Sequence, residues 1–380
     1  KKNKAEKMNK LKQIERLVKL TRPQARFVKA AYMDKVKGDD ITIDDYYLVC
    51  LYDAKIDSVF NKCSLGFYII DNTYLSSFAY NLYLGVMLYH GKNPATERKL
   101  LCNNLKKFYA EQMFSKYNCI FSRAILIETL LEEENMRTVF TKIKDNNSLS
   151  QRAKVVASIM NSLISFHELG HHIFHDTNGW DLYVAKLSRN EQSFICNMGA
   201  KYPHLFFEEI KCDILAVNGC IENMQSKESL KDILSIIIFG YAAFSAMFSL
   251  VKSAKITVNE IQRNHIEKVD FNSIKTISRD YAYTIGIDLD FKERTNIMIQ
   301  YCQIIAGNHN IVLNDNINDK LHPDQIMNYL LSALDEIMVS ENLFIRDIAM
   351  LFSESLCGNP KGAEFLYLRS KVFTSNRKLE

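Results

Sequence analysis

Apolar residues recur every three to four positions along most of this chain, the period of a helix with one buried face. Near the start, Leu11, Ile14, Leu17 and Val18 share one side of an otherwise charged segment, which predicts a solvated amphipathic helix. The run LKQIERLVKLTRPQARFVKAAYMDKV reads as two helices broken near Pro23. DDITIDDYYLVCLYDAKI opens with acidic capping candidates ahead of apolar periodicity, again a helix signal. GFYIIDNT (Gly66 to Thr73) is dense in β-favouring residues and ends in turn formers, so it predicts a strand. NCIFSRAILIETLLEEENM predicts a strand or bend running into a helix. KDNNSLSQR (Lys144 to Arg152) is a polar connection in which Ser148 or Ser150 would cap the next helix. In that helix Val155, Ile159, Leu163 and Phe166 form the stripe, and Asn178-Gly179 is the stop signal. GIDLDFKERTN and AGNHNIVLNDNINDKLHPDQ are loop-like, with Asn, Asp and Gly clustered.

One segment breaks the amphipathic rule. From Ile233 to Val251 the chain carries no charge and is long enough to span a bilayer. It also holds Ser235, Ser245, Ser249, Tyr241 and Gly240, and a helix apolar all round equally suits the centre of a large helical domain. The core-helix reading is favoured, with membrane association as the alternative. Composition adds bounds. The formal charge of +4 over 380 residues gives no case for a nucleic-acid partner. Nine scattered cysteines with no C-x-x-C pair argue for a reducing, cytoplasmic setting rather than a disulfide framework. The basic N-terminus lacks the apolar stretch of a signal peptide. Low glycine and proline, 13 and 5, favour helix.

Chemistry concentrates in HELGHH, His167 to His172. On a helix His167 and His171, four apart, stand one above the other about 6 Å apart along the axis. Two imidazoles so placed can grip one Zn²⁺ through neutral nitrogens. Glu168 is displaced round the helix, where it would meet a water rather than the ion; this is the H-E-x-x-H arrangement with glutamate as general base. A third protein ligand is needed. His175 would lie about 12 Å from His167 along the axis, too far for an easy three-point grip. Cys196, His204 and Cys212 have no supporting context. FFEEIKCDILAVNGC offers more: Glu209 can give a carboxylate oxygen, and Asp213, one turn on, can accept the free ring N–H of His167. Glu208 competes, but its partner four on is Cys212, which cannot play the aspartate's part.

HELGHH followed by EEIKCDILA resembles the gluzincin zinc metallopeptidases, in the form E-x-x-x-D-x-x-A; the match covers His167 to Ala216. In general layout the chain more distantly resembles phage-exclusion peptidases. The resemblance implies a zincin-like pair of active-site helices with a small β-sheet, embedded in a larger, predominantly α chain (α+β). It further implies Zn²⁺ on His167, His171 and Glu209, Asp213 behind His167, and a protein or peptide substrate cut by water with Glu168 as base. LHPDQIMNYLLSAL resembles a His-Pro element near such sites, making His322 a candidate for oxyanion stabilisation. An arginine usually follows in that element, whereas here the stretch runs Gln325 to Asn328, and His322-Pro323 also suits a plain helix start. Three stretches follow along the chain: a mostly helical 1–150 that could hold a short sheet, a zinc-binding core 151–260, and a helical 261–380 that would complete the cleft. The expected activity is that of a narrow-specificity intracellular metallopeptidase. A zinc-containing binding protein and a membrane-embedded peptidase are the alternatives.

Overall fold

The computed structural model describes residues 2–21, 26–33, 46–52, 59–63, 66–89, 94–116, 120–135, 147–174, 177–225, 228–263 and 289–313. Helix dominates. The helices are α1 (Lys2–Thr21), α2 (Thr73–Tyr89), α3 (Pro94–Lys116), α4 (Ile120–Asn135), α5 (Asn147–Ile173), α6 (Thr177–Val184), α7 (Arg189–Lys201), α8 (His204–Met224), α9 (Leu230–Arg263) and α10 (Leu289–Asn308). In α1 the expected stripe is buried at Leu11, Ile14 and Val18, with Leu17 half-buried.

Two expected helices are strands instead. β1 (Arg26–Met33), β2 (Tyr46–Tyr52), β3 (Val59–Cys63) and β4 (Gly66–Asn72) form one sheet in the order β1-β2-β4-β3. β2 runs antiparallel to β1 and parallel to β4, and β3 closes the edge antiparallel to β4. The burial pattern explains β2: Tyr47, Val49 and Leu51 are buried with half-buried Leu48 between them, the period of two that a strand imposes. Neighbours on both sides supply hydrogen bonds that no isolated reading of YYLVCLY reveals. β1, too short for a stable helix, is fixed by pairing with β2, Ala30 opposite Val49.

Other boundaries shift for local reasons. α4 is helical from Ile120, and the residues just ahead of it, 117–119, lie outside the described residues. α5 starts at Asn147, so Ser148 and Ser150 lie inside it rather than capping it. It ends at Ile173, where Phe174 N–H donates to Gly170 O at 2.9 Å. Asn178-Gly179 belongs to the start of α6, not to a stop. A Cβ on Gly179 would meet Ile173 O at 2.8 Å, so only glycine lets α6 begin this close to the end of α5. Within α5 the buried residues are Ala153, Val156, Ile159, Met160, Leu163, Ile164, Leu169 and Gly170, while Val155 and Phe166 are half-buried. α10 occupies most of the segment GIDLDFKERTN, from Leu289 on, where a loop was expected. It closes with Asn310 in the left-handed region at φ 54° and Ile311 N–H donating to Ala306 O at 2.8 Å.

α9 contains the uncharged run from Ile233 to Val251. Among the described residues it is the one helix long and apolar enough to cross a membrane, and 83% of its most apolar 18-residue window is buried. The chain divides into two compact units. One comprises 1–77, 157–240 and 294–315; the other comprises 78–156, 241–293 and 316–380. Each therefore draws on all three stretches distinguished along the sequence. The sheet and the HELGHH segment fall in the first. In the second, Lys106 is buried between Glu128 and Glu132 at 3.1 and 3.2 Å, and Tyr109 OH meets Thr257 Oγ1 at 2.8 Å.

Candidate metal centre

Three helices of the first unit build the site: α5 with HELGH, α8 with EEIKCD, and α10. α5 and α8 approach closely at Gly170. A Cβ there would lie 2.9 Å from Cys212 Cα and 3.0 Å from its Sγ, so the glycine permits the contact that brings His167 and His171 over Glu209. The far part of α10 is pinned by a polar network. Asn218 Nδ2 donates to Tyr183 OH at 2.7 Å and to Tyr301 OH at 2.9 Å, and Tyr301 OH donates to Glu191 at 2.9 Å. Glu191 also completes a capping box with Ser188 at the start of α7. Arg294 lies seven residues before Tyr301, two turns away on the same face of α10, and reaches α8 by its own contacts.

The two imidazoles sit edge to face, centroids 4.9 Å apart at 86°. Nε2 of His167 lies 3.3 Å from Glu209 Oε2, and Nε2 of His171 lies 3.6 Å from Glu209 Oε1. The ligand atoms of His167, His171 and Glu209 all lie within 4.8 Å of one another. Bonds of about 2.0–2.1 Å to a tetrahedral ion place neighbouring ligand atoms about 3.3–3.4 Å apart. The donor set and its spacing therefore fit Zn²⁺. The site is more exposed on one side: the side chains of His171 and Glu209 are 39% and 37% exposed, against 15% for His167.

Behind His167, Nδ1 donates to Asp213 Oδ1 at 2.9 Å, which leaves Nε2 free to ligate. Asp213 is 2% exposed. Burial alone would raise its pKa, but Arg294 and His167 outweigh burial and hold it well below the usual carboxylate range. Burial likewise opposes charge on His167, yet the Asp213 carboxylate and the bond to Glu209 hold its pKa up at about 9 in the metal-free protein. His171 goes the other way, lowered by burial and by its neighbour His167. The bond to His167, against some burial, lowers Glu209.

The competitors for third ligand are placed elsewhere. Glu208 Oε1 pairs with Lys211 at 2.6 Å and His204 at 3.6 Å. His204 is 82% exposed and Cys196 is exposed. Cys212 Sγ lies 3.5 Å from His171 Nδ1, the ring nitrogen opposite the one that faces Glu209, and burial pushes its thiol up. Glu168 is half-buried, next to His167 on α5. His175 and His322 lie outside the described residues.

One residue of the site was not anticipated. Arg294 Nε and Nη2 donate to the two oxygens of Asp213, each at 2.8 Å, and Nη1 lies 3.1 Å from Glu209 Oε2. Its signal in the sequence was faint: positions 294, 297, 298, 301 and 305 have helical spacing, but the first is an arginine inside a polar segment. No protein-family model, no curated protein and no solved structure matches the chain.

Proposed function

We propose that the chain is a zinc-dependent metallopeptidase, cytoplasmic and narrow in specificity. The observation that carries this reading is the meeting of His167 Nε2, His171 Nε2 and the Glu209 carboxylate, at distances that suit one tetrahedral ion, beside Glu168. Zinc held there would supply Lewis acidity and bring an attacking water into the neutral range of acidity. The chain's own residues do the rest. Asp213 keeps His167 in the tautomer that presents Nε2. Glu168 accepts the proton of the attacking water and returns it to the leaving amine. A substrate would reach the site from the exposed side of His171 and Glu209. A purely structural site would close with a fourth protein ligand, and among the described residues the thiol beside the site, Cys212, stands behind the His171 ring.

The test is cleavage of an unbiased peptide library by zinc-loaded protein, read by mass spectrometry, beside Glu168→Gln. The variant is expected to keep its zinc and lose roughly 10²–10⁴-fold in turnover, the usual contribution of a general base. Wild-type rates in that variant, or no cleavage by the loaded wild type, would remove the peptidase reading.

A further inference from the structure

Zinc ligation needs no cation in the protein, yet a guanidinium sits among the ligands. Arg294 belongs to a closed ring of contacts drawn from three helices. Its Nε and Nη2 grip Asp213, Asp213 Oδ1 accepts a hydrogen bond from His167 Nδ1, His167 Nε2 faces Glu209 Oε2, and that same oxygen meets Arg294 Nη1. The distances round the ring run 2.8, 2.9, 3.3 and 3.1 Å. Glu209 and Asp213 are one turn apart on α8, so their carboxylates would repel if nothing lay between them. Arg294 is that intermediary, and it addresses the two with different nitrogens of one rigid plane. A lysine ammonium is a single flexible point and cannot hold both in register.

We propose that Arg294 is a positioning residue for the metal site. It holds the Glu209 carboxylate and, through Asp213, the His167 ring in ligating geometry before any ion arrives. This rests on the zinc-ligand reading of His167, His171 and Glu209, and is independent of whether the protein cuts peptides. Partners behind the ligands typically account for 10–100-fold in metal affinity. Arg294→Lys is therefore expected to weaken zinc binding about tenfold and Arg294→Met about a hundredfold.

The experiment is zinc competition against a chromophoric chelator, with the visible spectrum of the Co²⁺-loaded protein as a second readout. Tyr301→Phe, on the same helix as Arg294, serves as control: it removes the bond that Tyr301 OH donates to Glu191 and the one it accepts from Asn218 without touching the ring. The expected result is weaker zinc and an altered cobalt spectrum in both arginine variants, and wild-type values in Tyr301→Phe. If neither single variant folds, the pair Asp213→Asn with Arg294→Met, which leaves neither charge without its partner, takes their place with the same expectation of at least about tenfold loss. Unchanged affinity in a folded arginine variant overturns the proposal, and so does an equal loss in Tyr301→Phe. A wild-type chain that takes up no zinc ends this proposal and the zinc-site reading together; tight wild-type binding that Arg294→Lys leaves unchanged ends this one alone.

Discussion

Asp213→Ala isolates what stands behind the ligands. The carboxylate is 2% exposed and accepts three charge-assisted bonds, two at 2.8 Å from Arg294 and one at 2.9 Å from His167. Adding the three separately would double count, because one group makes them all. Breaking a buried ion pair from one side costs about 3–5 kcal/mol, since the other charge is left behind. Arg294 keeps its contact with Glu209 at 3.1 Å, which favours the lower end, near 3 kcal/mol. At about 2–4 °C per kcal/mol for a cooperative unit of roughly 150–250 residues, the transition of the first unit in the zinc-free protein should fall roughly 6–12 °C. The second effect is on the metal. With no acceptor for Nδ1, His167 loses its fixed tautomer, and zinc affinity should fall about 10–100-fold, or about 1.4–2.7 kcal/mol. Asp213→Asn separates the two. Its amide oxygen, in the place of Oδ1, still accepts from His167 and from Arg294 Nη2, but its NH₂ faces Arg294 Nε, so it should lose stability more than affinity. Calorimetry of the zinc-free protein and chelator competition read the two effects. An Asp213→Ala protein within about 2 °C and threefold of wild type would refute the reasoning, because both expected losses are several times larger.

The pH dependence follows from the raised pKa of His167. In the metal-free protein its proton leaves only near pH 9, so zinc must displace it at neutral pH, and affinity should climb about tenfold per pH unit from 7 to 9. His171, lowered from 6.5, is already neutral and adds no second proton, so calorimetry in buffers of different ionisation enthalpy should count about one proton released at pH 7; none released would contradict the geometry. Stability of the metal-free protein runs the opposite way. A folded-state pKa above 6.5 stabilises fully below that value and stops doing so as pH rises through about 9, so the melting temperature should drop between pH 6.5 and 9.5. On the acid side the depressed Asp213 stabilises above about 3.8, its unfolded value, and that share is lost as pH falls further.

How much of this was legible in the sequence depends on where the information sits. The placing of His167, His171, Glu209 and Asp213 was readable because four-residue spacings on two helices are local rules, and a helix start at 204 puts Glu209 and Asp213 on one face. The preference for Glu209 over Glu208 rested on a partner four residues on, and in the structure Glu208 turns to Lys211 instead. The sheet was half hidden. Gly66–Asn72 announced itself through β-branched and aromatic residues, whereas β1 and β2 owe their state to partners distant in sequence. Arg294 escaped because hydrophobic periodicity counts apolar residues, and a buried charge at a core position makes a helix look like a loop. That a Cβ on Gly170 or on Gly179 would lie under 3 Å from the backbone of a neighbouring helix is a property of the packed chain only.

The central claim is that one ion is shared by three side chains from two helices. Zinc content of the purified chain, measured by elemental analysis after dialysis and compared with Glu209→Ala and Glu208→Ala, addresses it most directly. The account predicts about one zinc per chain in wild type and in Glu208→Ala, and little in Glu209→Ala. Zinc retained without Glu209, or lost only without Glu208, would contradict it.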